Sequence, residues 1–405
     1  MKILLLADLQ IEGGQSLGHG EYGEGSRFAD QEKMLGQIAD IAEREQVGLA
    51  ILAGDTFDRS KPSPWAILAI QEFLSRLPGT LILSGNHDVK SLALPSVLEC
   101  LAPVPDGDAT IVDRPSQFDF GGRSYTGPQM TDVTGRGEQR TPDVRVHCLP
   151  WMPNGFFADS PSDRDEANAW IATRLALTAQ QFKHLPGARN ILVGHWAIHE
   201  AQTATGLSAE VFREPLIPLQ ALVAPGFDMV AFGHIHAVQA LSTEPPVLYL
   251  GSPWVGNFGE VGHPHGVWIY DTDVPEMRFV PINDRPFYKF DGLEALDDFH
   301  RGQRNLGAVR TDGDMDGAVV RIRYSGTELA DHDAITKRLR ELGASKIFIQ
   351  PQIEKHSRAR LEDSSRVDAL DAQSAFDLFL RTDGTDPDRS ARARELHSGF
   401  LRELA

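Results

Sequence analysis

Cysteine and long apolar runs are scarce in this sequence of 405 residues. The two cysteines, Cys100 and Cys148, are too few for a disulfide framework or a thiolate zinc site. Each is expected to be buried and inert, in a reducing cytoplasm. No apolar stretch approaches the ~18 residues of a membrane span, so no membrane association is expected. The apolar N-terminal run ends at Asp8 without a small-residue cleavage site, which predicts a first strand rather than a signal peptide.

Positive charge is also in short supply. There are 39 Lys and Arg against 57 Asp and Glu, which gives a formal net charge of -18. Nucleic-acid-binding proteins usually present a basic surface, so this balance counts against extensive phosphate-backbone contact and leaves room only for a local basic patch. Metal sites concentrate aspartate for their own reasons, and bound cations offset part of that charge.

Strand and helix patterns alternate over residues 1–255, which predicts sheets covered by helices in an α/β fold. At ~100–200 residues per domain, the length suggests two to three domains. Strands are predicted at 2–7, 48–53, 80–83, 190–193, 229–232, 247–250 and 266–270, and helices at 30–45, 63–77 and 164–184. Residues 318–353 then give a strand–helix–strand pattern.

Five polar clusters follow these predicted strands. They are Asp8-Leu9-Gln10, Gly54-Asp55-Thr56-Phe57-Asp58-Arg59, Gly85-Asn86-His87-Asp88, Gly194-His195 and Gly233-His234-Ile235-His236. Open α/β sheets build their sites at the carboxyl ends of strands. Oxygen donors with neutral imidazoles suit Mn²⁺, Fe, Zn or Mg²⁺, and one carboxylate, Asp55, can bridge two ions ~3.5–4 Å apart. Any one cluster arises easily by chance, but five in this order predict a two-metal site.

In this order the clusters resemble the D-x-H, G-D-x-x-D, G-N-H-[DE], G-H and G-H-x-H motifs of the calcineurin-like metallophosphoesterases, over roughly residues 1–260. The resemblance implies a four-layer αββα fold, in which a β-sandwich is flanked by helices. It also implies two divalent metal ions, with Mn²⁺ expected first and Mg²⁺, Fe or Zn as alternatives. The implied ligands are Asp8 and His236 for the first metal, Asn86, His195 and His234 for the second, and Asp55 as the bridge.

The same resemblance gives His87 the role of general acid or transition-state stabiliser, oriented by Asp88 and steadied by Asp58. Arg59, together with Asn86 and His87, is the candidate for binding substrate. One position departs from the family pattern, which has histidine where this chain has Gln10. An amide oxygen is a poorer donor than imidazole at a transition-metal site, so Gln10 either binds the first metal weakly or points away from it.

Residues 54–64, 249–260 and 279–287 resemble segments of the SbcD subfamily, the nuclease subunit of the bacterial SbcCD complex. This resemblance implies a nuclease domain at 1–285, an α/β DNA-capping domain at 286–356 and a helical segment at 357–405. Amphipathic patterns predict two helices, at 367–381 and 387–404, and these helices would bind an SbcC-type ABC ATPase that has a coiled coil. It further implies a homodimer that cuts DNA during repair, recombination or replication, and a cytoplasmic, nucleoid-associated location.

Two other functions stay open. A small-molecule or cyclic-nucleotide phosphodiesterase of the same fold has less need of a separate cap and tail, so residues 290–405 argue against it. A non-catalytic scaffold is slightly favoured by Gln10, but a scaffold has no reason to keep the other ligand residues. Trp254 and Phe258, in the 249–260 segment, are interpreted as core residues in preference to DNA contacts.

Overall fold

The computed structural model describes residues 1–18, 25–89, 96–101, 108–120, 142–300, 315–325 and 332–352. Residues 1–323 and 330–350 form one compact unit, and the account below concerns this unit. The predicted C-terminal helices at 367–381 and 387–404 lie outside the described residues.

Strands and helices follow one another along the chain. The strands are β1 (Lys2–Leu6), β2 (Leu49–Leu52), β3 (Thr80–Leu83), β4 (Ala109–Val112), β5 (Ser116–Phe120), β6 (Val144–Leu149), β7 (Arg189–His195), β8 (Ala197–Ile198), β9 (Leu216–Ile217), β10 (Met229–Gly233), β11 (Gln239–Thr243), β12 (Pro246–Tyr249), β13 (Gly266–Asp271), β14 (Glu276–Pro281), β15 (Phe287–Asp291), β16 (Val319–Ser325) and β17 (Lys346–Gln352). The helices are α1 (Arg27–Glu45), α2 (Pro64–Ser75), α3 (Arg164–Gln181), α4 (Leu219–Val223), α5 (Leu293–His300) and α6 (His332–Glu341).

Two six-stranded sheets form the centre of the fold. Their strand orders are β14-β13-β1-β2-β3-β4 and β11-β12-β10-β7-β6-β5. In β1, Ile3 and Leu5 enter the core between the sheets, whereas Leu4 and Leu6 pack with α1 and α2 on the outer face. Both faces of the strand are buried, so its sequence is a continuous apolar run. On the second sheet, α3 and α4 cover the outer face. The predicted four-layer αββα architecture is therefore confirmed.

The central strands of both sheets are parallel, which brings their carboxyl ends to one edge. β1 pairs with β2 up to Leu6 and Leu52, and β10 pairs with β7 up to Gly233 and His195. The chain segments that leave these strands then meet through main-chain bonds, such as that from the amide of Asp8 to the carbonyl of Gly54 at 3.1 Å. All five polar clusters consequently lie at the same edge.

A smaller α/β module follows the second half of the sandwich. Strands β15, β16 and β17 form a sheet in this order, and α5 and α6 pack on one face of it. The predicted strand–helix–strand corresponds to β16, α6 and β17, while β15 and α5 were not predicted. The linker before β15 is held by Arg285, whose guanidinium lies 2.8 Å from the Asp30 carboxylate on α1.

Two features differ from the sequence predictions or were missed by them, and a third agrees with its interpretation. Seven strands before β15 were not predicted, namely β4, β5, β6, β8, β9, β11 and β14. Strands β5 and β6 alternate polar and apolar residues, but each spans only five or six residues. Cys148 is buried as expected, but Cys100 is exposed, so that prediction was wrong for Cys100. Trp254 and Phe258 are both buried, in line with their interpretation as core residues. In the described part of the chain, no helix is long and apolar enough to cross a membrane.

Candidate metal centre

Two motif glycines leave room for the side chains of ligand candidates. Gly54 has a left-handed φ of 94°, and a Cβ on it would lie 2.2 Å from Nδ1 of His195. A Cβ on Gly85 would lie 2.1 Å from Oδ1 of Asp55. Any larger residue at either position would displace a candidate ligand, so these glycines permit the close approach of the loops.

The backbone is left-handed at four of the predicted site residues. The φ values are 54° at Asp8, 39° at Gln10, 52° at Asp55 and 92° at His234. Such a conformation costs about 1–3 kcal/mol for a non-glycine residue and persists where the surroundings enforce it. Here the amide of Gln10 donates to the carbonyl of Asp55 at 2.9 Å, which ties two of these residues together. This concentration of strain is typical of a functional site.

Four candidate ligands come together in one cluster. Nε2 of His195 lies 3.4 Å from Oδ2 of Asp55 and 3.2 Å from Oδ1 of Asn86. Nδ1 of His234 lies 2.9 Å from the same Asn86 oxygen. The ligand atoms of Asp55, His195 and His234 all lie within 4.8 Å of one another. A carboxylate, an amide oxygen and two imidazoles are a donor set that fits a divalent metal ion.

Each of three histidines of the site has one ring nitrogen held by an oxygen outside the cluster, so that the other ring nitrogen faces the candidate ligands. A carbonyl or an ionised carboxylate only accepts, so the ring nitrogen beside it carries the hydrogen. The oxygen partners are the Ala53 carbonyl for Nδ1 of His195 at 2.7 Å, Glu214 for Nε2 of His234 at 2.5 Å and Glu260 for Nδ1 of His236 at 2.7 Å. The atoms that would bind a metal ion are therefore Nε2 of His195, Nδ1 of His234 and Nε2 of His236.

Asp8 and His236 lie beside this cluster and are not part of the 4.8 Å group. The Asp8 carboxylate is fully buried and accepts the amide of His234 at 3.0 and 3.1 Å. Burial raises the pKa of Asp8, against the opposing effect of His195 and His236. Burial alone would lower the pKa values of His195 and His236, but the neighbouring carboxylates outweigh it and raise both to about 9. A metal ion must therefore displace protons when it binds.

The side chain of Gln10 makes only a long contact with the candidate ligands. Its side-chain Nε2 lies 3.5 Å from Oδ2 of Asp55. The amide nitrogen, and not the oxygen, faces the Asp55 carboxylate. To bind a metal there through its oxygen, the amide would have to rotate.

His87 lies at the open side of the cluster, with its side chain 36% exposed. Its Nε2 is 3.9 Å from Oδ2 of Asp55, and its Nδ1 is 2.6 Å from the carbonyl oxygen of Asp58. The ring is therefore oriented by the backbone of Asp58. Arg59 is more than half exposed and lies 4.0 Å from the Asp58 carboxylate.

Asp88 orients loops and has no hydrogen bond to the His87 ring, unlike the role predicted for it. Its buried carboxylate accepts the amides of Thr56, Phe57 and Gly85 at 3.3, 3.1 and 3.0 Å. Burial, reinforced by the charge of Asp55, raises the pKa of Asp88 to about 7. Asp88 thus joins the segment after β2 to the segment after β3.

The roles of Glu214 and Glu260 were not predicted from the sequence. Glu260 falls in a segment that resembles the SbcD subfamily, and its carboxylate also accepts the amide of Gly256 at 2.7 Å. Only its presence in that segment could have drawn attention to it. Nothing in the sequence around Glu214 gives such a signal, since it lies 20 residues from His234 and follows no motif.

Comparison with known proteins identifies the class. The profile of the Calcineurin-like phosphoesterase family matches residues 1–238, and the chain belongs to this family of metal-dependent phosphoesterases. The SbcD subunit of the SbcCD nuclease of Bacillus subtilis is 23% identical over an alignment 406 positions long, which covers 96% of this chain and 95% of the relative. The corresponding nuclease subunit of Rhodobacter capsulatus is 28% identical over 306 residues, or 70% and 71%. "Exonuclease subunit 1" of Enterobacteria phage T4 is 22% identical over 278 residues, or 65% and 66%.

Proposed function

We propose that this protein is a two-metal DNA nuclease of the SbcD type, with Mn²⁺ as the expected ion. The observation that carries the proposal is the cluster of Asp55, Asn86, His195 and His234 at the meeting point of the parallel strands. The names of the relatives from Bacillus subtilis and Rhodobacter capsulatus support a nuclease. The phage relative, named as an exonuclease subunit, agrees with them.

The chain's own residues supply the rest of the proposed mechanism. When bound, two divalent ions would polarise a phosphoryl group and provide a nucleophile from water at neutral pH. Because Nδ1 of His87 is bound to the Asp58 carbonyl, its Nε2 is the nitrogen that faces the site. From there it would donate a proton or a hydrogen bond to the phosphodiester in the transition state. Arg59, exposed beside Asp58, would bind a neighbouring phosphate.

A basic sheet face in the small module supports a nucleic-acid substrate. Alternate residues of a strand share a face, and Lys289 on β15 pairs in register with Arg321 on β16. The guanidinium of Arg321 lies 4.7 Å from the centre of the Phe258 ring. Phe258 precedes by two residues Glu260, whose carboxylate contacts His236. On the same face, the side chain of Arg323 contacts Gln350 of β17. Asp291 pairs in register with Arg323 on the same face. In a chain of net charge -18, Lys289, Arg321 and Arg323 would together supply a small local basic patch for a phosphate backbone.

The test is cleavage of labelled single- and double-stranded DNA by the purified protein with Mn²⁺, beside bis-p-nitrophenyl phosphate. EDTA should abolish both reactions and Mn²⁺ should restore them. Lys289→Glu with Arg323→Glu should weaken DNA cleavage and leave hydrolysis of the small ester unchanged, because Arg323 contacts Gln350 and neither side chain bonds a candidate metal ligand in the part of the chain that the structure describes. If the small ester or cyclic nucleotides are hydrolysed well and DNA never is, the small-substrate phosphodiesterase is the correct function.

The domain and partner assignments belong to the same proposal. The nuclease domain would be 1–285, the capping domain 286–356 and the partner-binding segment 357–405, in a cytoplasmic homodimer with an SbcC-type ATPase. Deleting residues 367–405 should spare hydrolysis of the small ester and abolish co-purification with the ATPase. A truncated protein that does not fold would show instead that this segment belongs to the core.

A further inference from the structure

We infer that Glu214 is a positioning residue for the second metal: its carboxylate fixes the ring of His234 so that Nδ1 faces the cation. The inference rests on the proposed role of His234 as a ligand. Oε1 of Glu214 lies 2.5 Å from Nε2 of His234, and the two side chains are 21% and 8% exposed. A carboxylate behind a metal-binding imidazole commonly sets the ring's orientation and the position of its hydrogen.

His234 lies between two competing oxygen acceptors. Nδ1 is 2.9 Å from Oδ1 of Asn86, and Nε2 is 2.5 Å from Glu214. A neutral imidazole has one N–H, and the ionised carboxylate is the stronger acceptor. With Glu214 present, the hydrogen therefore stays on Nε2. Without Glu214, the Asn86 oxygen is the remaining partner of the His234 ring. An N–H on Nδ1 would then donate to that oxygen, and neither Nδ1 nor the Asn86 oxygen would be available to the cation.

The backbone before Glu214 is anchored to helix α3. Arg213 has a left-handed φ of 52°, and its carbonyl accepts hydrogen bonds from Arg164 at 3.1 Å and Asn168 at 3.0 Å. A strained residue held by two side chains from another element is over-determined by its surroundings. Glu214 is thus presented to His234 from a fixed support.

Glu210 offers a matched comparison in the same segment. Its side chain is 66% exposed and lies 3.4 Å from Nε2 of His199, which is itself 56% exposed. An exposed pair of this kind contributes little. The two glutamates therefore lie in the same segment, and each contacts a histidine. Only the histidine beside Glu214 is a candidate metal ligand.

The test measures Mn²⁺ binding by calorimetry in Glu214→Ala, Glu214→Gln and Glu210→Ala, with the second site identified as the step lost in His195→Ala. Glu214→Ala should weaken the second site about 10–100-fold and leave the first unchanged. Glu214→Gln, which keeps an acceptor of the same shape, should lose less, and Glu210→Ala should match the wild type.

Nitrogen-15 NMR of the metal-free protein gives a second readout. The wild type should carry the His234 hydrogen on Nε2, and Glu214→Ala should shift it toward Nδ1. An unchanged second site in Glu214→Ala, an equal loss at both sites, or a wild-type hydrogen on Nδ1 would each overturn the inference. Both measurements are made without DNA, so their failure leaves the proposed nuclease activity untouched, and a failure to cut DNA leaves them valid.

Discussion

Replacing Gln10 with histidine is expected to tighten the first metal site. The wild-type amide presents its nitrogen to Oδ2 of Asp55 at 3.5 Å, so it contributes little to a cation there. Histidine is among the residues that tolerate a left-handed backbone, and the φ of 39° at this position therefore adds no new strain. The substitution supplies an imidazole donor at a site otherwise left with Asp8, Asp55 and His236.

The gain should be about 10–100-fold in affinity, the range that a supporting residue of a metal site provides. That corresponds to about 1.4–2.8 kcal/mol. The second site has the tighter donor cluster of Asp55, His195 and His234, so in the wild type it should fill at lower Mn²⁺ concentration. Activity at limiting Mn²⁺ should rise in Gln10→His, and activity at saturating Mn²⁺ should change little.

Calorimetric titration of wild type, Gln10→His and Gln10→Ala decides the matter. Gln10→Ala is the matched control, and it should bind like the wild type if the amide is not a ligand. Two equally filled sites in the wild type, with no change in Gln10→His, would refute the reasoning.

Three further outcomes are expected. His87→Ala should retain both metals and lower the turnover about 10²–10⁴-fold, measured by initial rates beside Mn²⁺ titration, and lost metal would mean that His87 is a ligand. In urea unfolding, Gly54→Ala should destabilise the fold by more than about 1 kcal/mol. Gly36→Ala is the control, since a Cβ at this position of helix α1 meets nothing within 4 Å, and it should stabilise the fold by about 0.4–1 kcal/mol. Equal shifts in the two variants would contradict this. Mn²⁺ affinity should rise from pH 6 to 9, because the cation displaces protons from His195 and His236, whose pKa values are raised to about 9, and a flat calorimetric profile would disprove it.

Most of the fold and the ligand types could be predicted from the sequence. Strands such as β1 and β3 are buried on both faces, so their residues form short apolar runs that end in polar motifs. Helix α1 repeats its apolar residues at helical spacing, and its predicted start at residue 30 lies three residues after the observed start at Arg27. Strands β5 and β6 alternate polar and apolar residues over only five or six positions, and a pattern this short was missed.

The sequence by itself determined which residues could bind metal, since glycine, aspartate and histidine at the ends of predicted strands form local patterns that need no tertiary structure to be recognised. Only the tertiary structure decided how they are held. Glu214 and Glu260 reach His234 and His236 from separate loops, and the ring of His87 bonds the carbonyl of Asp58 while the Asp88 carboxylate accepts backbone amides. These contacts join residues far apart in the chain, and they depend on ring orientation and backbone conformation. Neither property is fixed by the identity of the neighbouring residues.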